Sequence, residues 1–476
     1  MTTTNRSIFP LAALAATLLA ILLAPEAMAQ NNTDLDLYAG IPWNVPNPYQ
    51  KTALDIAWSD GGTLYAAYAD QNTPTGGFAR DDRFILRKRG PGDAAFSEVY
   101  LDYARGLLGL DSLHELAIAL PAVTVNDNVY DRVFVLASGR PWIACAFSPS
   151  RCGDAQTVLV SFPMHAQGTL NRPVFHAWVT SSRAASIGTP LTTRPSITIA
   201  QNPALPRDYR VVAAVTRDVI PSANNVPDVF VAVYKDQGRT LEASADVATG
   251  ATRPALTHDG AGSWLLAFER VDQGTTRVVE GEVRPVSGRP SIVTTELYET
   301  FSRCTHPAID MDAGQYDLVC LGRAGVRGGS ALEFHVGSPS LGTHRYQTTL
   351  DPECVGEPDI AVRADDASYT TARCWDASRA AFDVYAIETD RLGDVLIDDQ
   401  TNQFLKARIN DEPSTTIKPR AAANRGARTK WANRSTYGYA TEKTPTWGYL
   451  PCPGGGWSLC WGITSVPLQR VIFIDP

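Results

Sequence analysis

Apolar and polar positions along this chain alternate in a phrase that recurs. Arg253-Pro254-Ala255-Leu256-Thr257-His258-Asp259-Gly260 leads into Ser263-Trp264-Leu265-Leu266-Ala267-Phe268-Glu269-Arg270. His306-Pro307-Ala308-Ile309-Asp310-Met311-Asp312 leads into Tyr316-Asp317-Leu318-Val319-Cys320-Leu321-Gly322-Arg323. Glu357-Pro358-Asp359-Ile360-Ala361-Val362 leads into Tyr369-Thr370-Thr371-Ala372-Arg373-Cys374-Trp375. Each phrase is a proline, a short alternating strand, a turn and a second strand. A period of roughly 50 residues belongs to radial repeats, whose units bury their apolar faces only against each other.

The unit that opens at Pro254 predicts four strands, over residues 254–258, 264–269, 277–285 and 292–298. Asp259-Gly260, Asp272-Gln273-Gly274 and Ser287-Gly288 mark the turns between them. Four antiparallel strands, repeated around an axis, make a propeller blade. Units aligned on the strand-opening proline start near Ala53 (which lacks it), Pro121, Pro195, Pro254, Pro307, Pro358 and Pro419. The expected fold is therefore all-β, a single β-propeller of seven four-stranded blades over residues 30–476. Six blades plus a C-terminal cap is the alternative. Residues 35–38 or 468–474 are expected to complete a terminal blade, and residues 103–116 read as the one helix-like stretch.

Residues 1–29 read as an export signal. Arg6 precedes an apolar run over residues 8–23, and Ala27-Met28-Ala29 is a small-residue cleavage site before Gln30. That run falls short of the roughly 20 residues a membrane helix needs, and Pro25 interrupts its end. A secreted or periplasmic monomer with no membrane span after signal removal is expected. The formal charge of −8 offers no basic footprint for nucleic acid. In an exported chain, eight cysteines read as disulfides. They form the couples Cys145 with Cys152, Cys304 with Cys320, Cys354 with Cys374, and Cys452 with Cys460. The second and third couples straddle hairpin turns symmetrically, so antiparallel strands would set them side by side. A zinc site is the rival reading, but the chain has no Cys-x-x-Cys.

Several segments resemble the Asp-box repeats of sialidase-like propellers. Tyr234-Lys235-Asp236-Gln237-Gly238-Arg239-Thr240-Leu241 keeps the Asp, Gly and Thr of the family turn, and it follows a third strand, where the family carries the box. The unit from Ala53 to Tyr68 looks like a sialidase opening blade, and Phe84-Ile85-Leu86-Arg87-Lys88-Arg89 leading to Phe96-Ser97 is similar to a decayed box hairpin. The resemblance implies a propeller of degenerate repeats. The family also places an arginine two residues before the first-blade proline, where Tyr38-Ala39-Gly40-Ile41-Pro42 has glycine. The resemblance thus extends to the fold and not to sialidase chemistry.

In a propeller the first strand of each blade starts at the ligand face and the second ends there. Arg194, Arg253, His306, Glu357 and Lys418 precede the prolines, and Arg217, Arg270 and Arg323 end second strands. Arg194, Arg217, Arg253, Arg270 and Arg323 are candidate ligands for a carboxylate or sulfate, which the guanidinium fork grips with two parallel bonds. Each also reads as a surface arginine pairing locally, worth about 0–1 kcal/mol. Glu357 and Asp376 are candidate acids, beside Asp70, Asp218 and Glu269, and His306 is the candidate proton carrier. His258 reads as a channel-lining or structural histidine. No cofactor is expected, apart from calcium at the Asp-rich inner strands (Asp55, Asp60, Asp127, Asp259, Asp310, Asp312).

The expected function is recognition of an acidic glycan at the channel mouth. A glycan-active enzyme, either polysaccharide lyase or glycoside hydrolase, is the alternative at the same mouth. A protein-binding or envelope-structural propeller is the second alternative, because the fold hosts all three.

Overall fold

Short turns return each strand beside the one before it, so the sheets build up as antiparallel meanders. The computed structural model describes residues 33–35, most of 49–395, and short strands between 406 and 474; within 49–395 it leaves out 73–81, 91–92, 94–96, 143–154, 166–172, 183–193, 203, 218–226, 259–262, 313, 340–342, 363–366 and 391. The first blade is Tyr49–Trp58, Leu64–Asn72, Arg83–Arg89 and Ser97–Tyr103. The second is Leu110–Ala119, Arg132–Pro141, Ala155–Pro163 and Val174–Ser182. The third is Ser196–Gln201, Tyr209–Arg217, Asp228–Lys235 and Thr240–Thr249, and the fourth is Ala251–His258, Trp264–Arg270, Thr275–Val286 and Arg289–Ser302. A fifth sheet runs through seven strands from Thr305–Asp312 to Lys406–Arg408. The fold is all-β, and these sheets are arranged as a β-propeller of five blades.

The second strand of a blade is sandwiched between neighbouring blades, so it is apolar on both faces. Val211, Val212, Ala213, Ala214 and Val215 are all 0% exposed. Where a large ring must enter, the strand opposite gives way. Trp264 lies over Gly281, its register partner, and a Cβ there would stand 2.0 Å from the indole. Tyr316 lies over Gly337 in the same way, 2.1 Å from where a Cβ would be.

A repeated kink near the start of the inner strands decides what faces the channel. Pairing with the second strand slips between Thr52 and Asp55, Thr252 and Ala255, Thr305 and Ala308, and Val355 and Asp359. Within these slips Ala53, Arg253, His306 and Gly356 take positive φ values of 51°, 57°, 55° and 84°, and Arg194 in the third blade takes 42°. A side chain in this left-handed region costs about 1–3 kcal/mol and persists only where its surroundings enforce it. Each kink is a β-bulge, which bends the strand and re-aims its side chains. Just past it, side chains peg one inner strand to the next: Asp55, Ser196 and Asp359 accept the N–H of Ile118, Leu256 and Ala421 at 2.7, 2.9 and 2.9 Å.

The seven-stranded sheet owes its continuity to the 20-residue strand Thr343–Val362. Its first part pairs with Ser330–Ser338, and its last part, from Cys354, pairs with Ala367–Asp376. Both chain ends meet in another sheet. Arg420–Ala423 pairs with Ser435–Glu442, which pairs with Val471–Ile474, and that strand carries Thr33–Leu35 on its far side.

Two expectations are corrected. The helix is only Ala104–Leu108, ended by Gly109 in the left-handed conformation, and the rest of the helix-like stretch is the inner strand Leu110–Ala119. That strand stops short of Pro121, so the second unit does not open at that proline. The disulfides Cys304–Cys320 and Cys354–Cys374 are present, with Cα atoms 5.5 and 3.9 Å apart. The couples Cys145 with Cys152 and Cys452 with Cys460, like the export signal, involve residues outside the described residues. Among the described residues no helix is long and apolar enough to cross a membrane.

Candidate functional site at the channel mouth

The bulges gather one side chain from each of several inner strands around a cavity of about 220 Å³. Glu115, Arg194, Arg253, His306 and Glu357 stand on its wall, with Asp55, Asp359 and Arg420 one step deeper. Below them Ile56, Ile118, Ile197, Ile360 and Ala421 form a waist shared with a second cavity, of about 200 Å³, at the other end of the channel. The channel is thus charged at the bulge end and aliphatic in the middle.

The charged groups are tied together across blades. Arg194 Nη2 lies 2.7 Å from Glu357 Oε1, joining the third blade to the seven-stranded sheet. The backbone N–H of Arg194 donates to Glu115 of the second blade. Arg253 Nη1 donates to Glu269 Oε2 at 2.7 Å, and the His306 backbone N–H reaches the same oxygen at 3.2 Å. Arg253 N–H is held by Thr216 Oγ1 at 3.1 Å, while Arg253 Nε is buried with no acceptor among the described residues. Arg420 Nε donates to the Leu54 carbonyl at 3.2 Å and lies 3.4 Å from Asp55 Oδ1.

Burial sets the protonation of this mouth. His306 is pushed down to about 4 by burial first and by Arg253 and Arg194 next, so it is neutral at neutral pH. Asp55 is pushed up to about 6 by burial, against the pull of Arg420, and Asp359 is raised for the same reason. Burial also lowers Arg194, opposed by Glu357, but a guanidinium keeps its charge throughout the working range.

Of the candidates, Arg194, Arg253, His306 and Glu357 come together. Arg217, Arg270 and Arg323 do not line the cavity. Arg217 pairs with Asp246 and lies 5.4 Å from the Phe230 ring, Arg270 pairs with Asp272 at 3.3 Å, and Arg323 is exposed at the rim. Strand side chains alternate faces, and it is the residue one place earlier, Thr216 or Glu269, that turns to the mouth. Asp376 stands apart, accepting from the N–H and Oγ of Ser378 at 2.8 and 2.6 Å. Asp218, Asp259 and Lys418 lie outside the described residues. His258 lines the second cavity, with Trp58. Of the six candidate calcium ligands, Asp55 is engaged with protein as above, Asp60 with Thr124 N–H and Oγ1 at 3.0 and 2.7 Å, and Asp310 with Val362 N–H and Thr257 Oγ1 at 2.8 and 3.0 Å.

Sequence reading missed Glu115, Asp359 and Arg420 as mouth residues. The signal is a four-residue frame, clearest in Arg253-Pro254-Ala255-Leu256 and repeated in Glu357-Pro358-Asp359-Ile360 and Ala53-Leu54-Asp55-Ile56. Glu115-Leu116-Ala117-Ile118 fits it with leucine for proline, which would have placed Glu115 correctly.

No protein-family model matches the chain, and no curated protein is significantly similar to it. Among solved structures, a protein of unknown function from Dyadobacter fermentans aligns with TM-score 0.43 and 8% identity over 90% of this chain and 95% of that one. A Hadza microbial sialidase aligns with TM-score 0.43 and 9% identity over 68% of this chain and 63% of that one. The NanB sialidase of Streptococcus pneumoniae aligns with TM-score 0.40 and 9% identity over 93% and 70%. Likeness at this level assigns neither a family nor an activity.

Proposed function

We propose that the protein is an exported, seven-bladed propeller that binds an acidic glycan unit at the charged channel mouth through Arg194 and Arg253. In this count the seven-stranded sheet is two blades sharing the strand Thr343–Val362, and the sheet containing Arg420–Ala423 is the seventh. The observation that carries the ligand reading is Arg253. It is held on a bulge beside the cavity with one Nη on Glu269, and its Nε has no acceptor among the described residues. A guanidinium fixed at the wall of the cavity offers a ligand carboxylate or sulfate a charge-assisted hydrogen bond. Arg420 lies one step deeper, between Asp55 and Asp359, whereas Arg194 and Arg253, each with one Nη on a glutamate, stand on the wall of the mouth.

The test is a binding screen of the mature chain against neutral, uronate-, sialate- and sulfate-bearing glycans. An acidic glycan should bind, and Arg253→Lys, which keeps the charge but loses the fork, should weaken it by about tenfold. Arg270→Ala should bind as the wild type does. Equal losses in the two variants, or no binding of any acidic glycan, would overturn the reading.

One observation favours the enzyme as a second reading. His306 lines the cavity beside Arg253, Arg194 and two carboxylates, a position from which its neutral ring can take a proton, although burial makes it a weaker base than a free imidazole. New reducing ends or unsaturated products in the same screen, lost in His306→Gln, would establish it.

A further inference from the structure

Every mouth residue that sits on a left-handed bulge needs something to hold it there, and the structure provides different means in different blades. In the fourth blade the bulge at Arg253 is held by hydrogen bonds, from its own N–H to Thr216 and from its side chain to Glu269. In the seven-stranded sheet a covalent bond is added. Cys304 stands two residues before His306, and Cys354 stands two residues before Gly356, whose φ of 84° presents Glu357. Each cysteine is joined to the second strand of its own hairpin, Cys304 to Cys320 and Cys354 to Cys374. The register slips begin just past these points, between Thr305 and Ala308 and between Val355 and Asp359. Both disulfides are fully buried.

We propose that the two disulfides are positioning devices for the channel mouth, the Cys304–Cys320 bond fixing His306 and the Cys354–Cys374 bond fixing Glu357. This rests on the reading of the mouth as a ligand site. The tether lies where a bulge would otherwise relax, because restoring regular pairing at Thr305 would rotate the next side chain to the other face of the strand. His306 would then leave Glu269, Arg253, Arg194 and Glu357, the charged groups that surround it. The remaining supports are hydrogen bonds: His306 N–H to Glu269 at 3.2 Å, Thr305 Oγ1 to the Leu321 carbonyl at 3.1 Å, and Thr276 Oγ1 to the Cys304 carbonyl at 2.9 Å.

The test compares the full chain with the double variants Cys304→Ala/Cys320→Ala and Cys354→Ala/Cys374→Ala. The first readout needs no ligand: the His306 ring is titrated by NMR. Loss of the Cys304–Cys320 bond should move its midpoint upward by a unit or more, towards that of a free imidazole, and loss of the Cys354–Cys374 bond should leave it in place. The second readout is affinity for a galacturonate oligosaccharide, which each variant should weaken by about tenfold. An unchanged His306 midpoint in folded Cys304→Ala/Cys320→Ala, or an equal shift in both variants, would overturn the proposal. If either alanine pair fails to fold, Cys304→Val/Cys320→Ala or Cys354→Val/Cys374→Ala restores volume without the bond. A wild type that binds no acidic sugar would sink the ligand reading alone, since the His306 midpoint still decides the role of the tether.

Discussion

His306 shows how much one position carries. It takes a left-handed backbone, donates its N–H to Glu269 and stays neutral among two arginines. Its folded value of about 4 lies below the 6.5 of a free imidazole, so the unfolded chain binds the proton first. Its contribution to stability is therefore complete above pH 6.5 and is lost as the pH falls towards 4. Thermal melts of the wild type and His306→Gln at pH 7 and 4.5 should show the wild type losing ground to the variant on acidification, by the order of 1–2 kcal/mol. Parallel profiles would mean that the ring titrates as if in water. At this scale the sequence was legible only in part. The residues before the prolines, Arg194, Arg253, His306 and Glu357, could be placed at the mouth because proline marks where an inner strand opens. Arg217 and Arg270 were misplaced by a single residue, which in a strand is a whole face.

The element that does most of the work is the bulged inner strand, and it was the least visible in the sequence. Proline drew attention to its start, but nothing in the residue types announced that Ala53, Arg194, Arg253 and His306 would take positive φ. The start of blade two, which like the first blade has leucine (Leu116) where later blades have proline, was read as part of a helix-like stretch, and Leu107, Leu108, Leu110, Leu113 and Leu116 also fit a helical spacing. Tertiary context overrode that pattern, for the strand Leu110–Ala119 is clasped between Arg132–Pro141 and the inner strand of the first blade. The second strands, apolar on both faces, were legible as continuous runs. Their packing leaves no slack where an aromatic ring rests on glycine. Gly281→Ala should thus lower stability by about 1–3 kcal/mol, read as a shift of the urea midpoint, since Trp264 must move to admit a Cβ. Gly288→Ala, in open space, meets only backbone strain and serves as the comparison. A smaller loss at Gly281 than at Gly288 would contradict the packing.

Over the whole molecule, the repeat period announced a propeller, whereas the joining of its ends depended on groups far apart in sequence. Arg420 is the buried cation between Asp55 of the first blade and Asp359 of the seven-stranded sheet, and Ala421 N–H is bound by the same Asp359. Arg420→Met should cost about 1–3 kcal/mol at pH 7, because it strands two half-buried carboxyls. Asp55, raised to about 6, holds its proton more readily in the folded chain, so its charge is unfavourable above that value and relieved below it, and Asp359 is shifted in the same direction by its burial. Urea unfolding should accordingly show a smaller loss at pH 4.5 than at pH 7. Equal losses would place the ring closure elsewhere. The long strand Thr343–Val362 has a consequence of another kind. Between other blades the chain passes from sheet to sheet through a connection that a protease or a permuted terminus could interrupt while leaving every sheet whole. Here there is no such connection: the strand that ends one hairpin array runs on as the first strand of the next, so any interruption between the two sectors has to fall within paired strand.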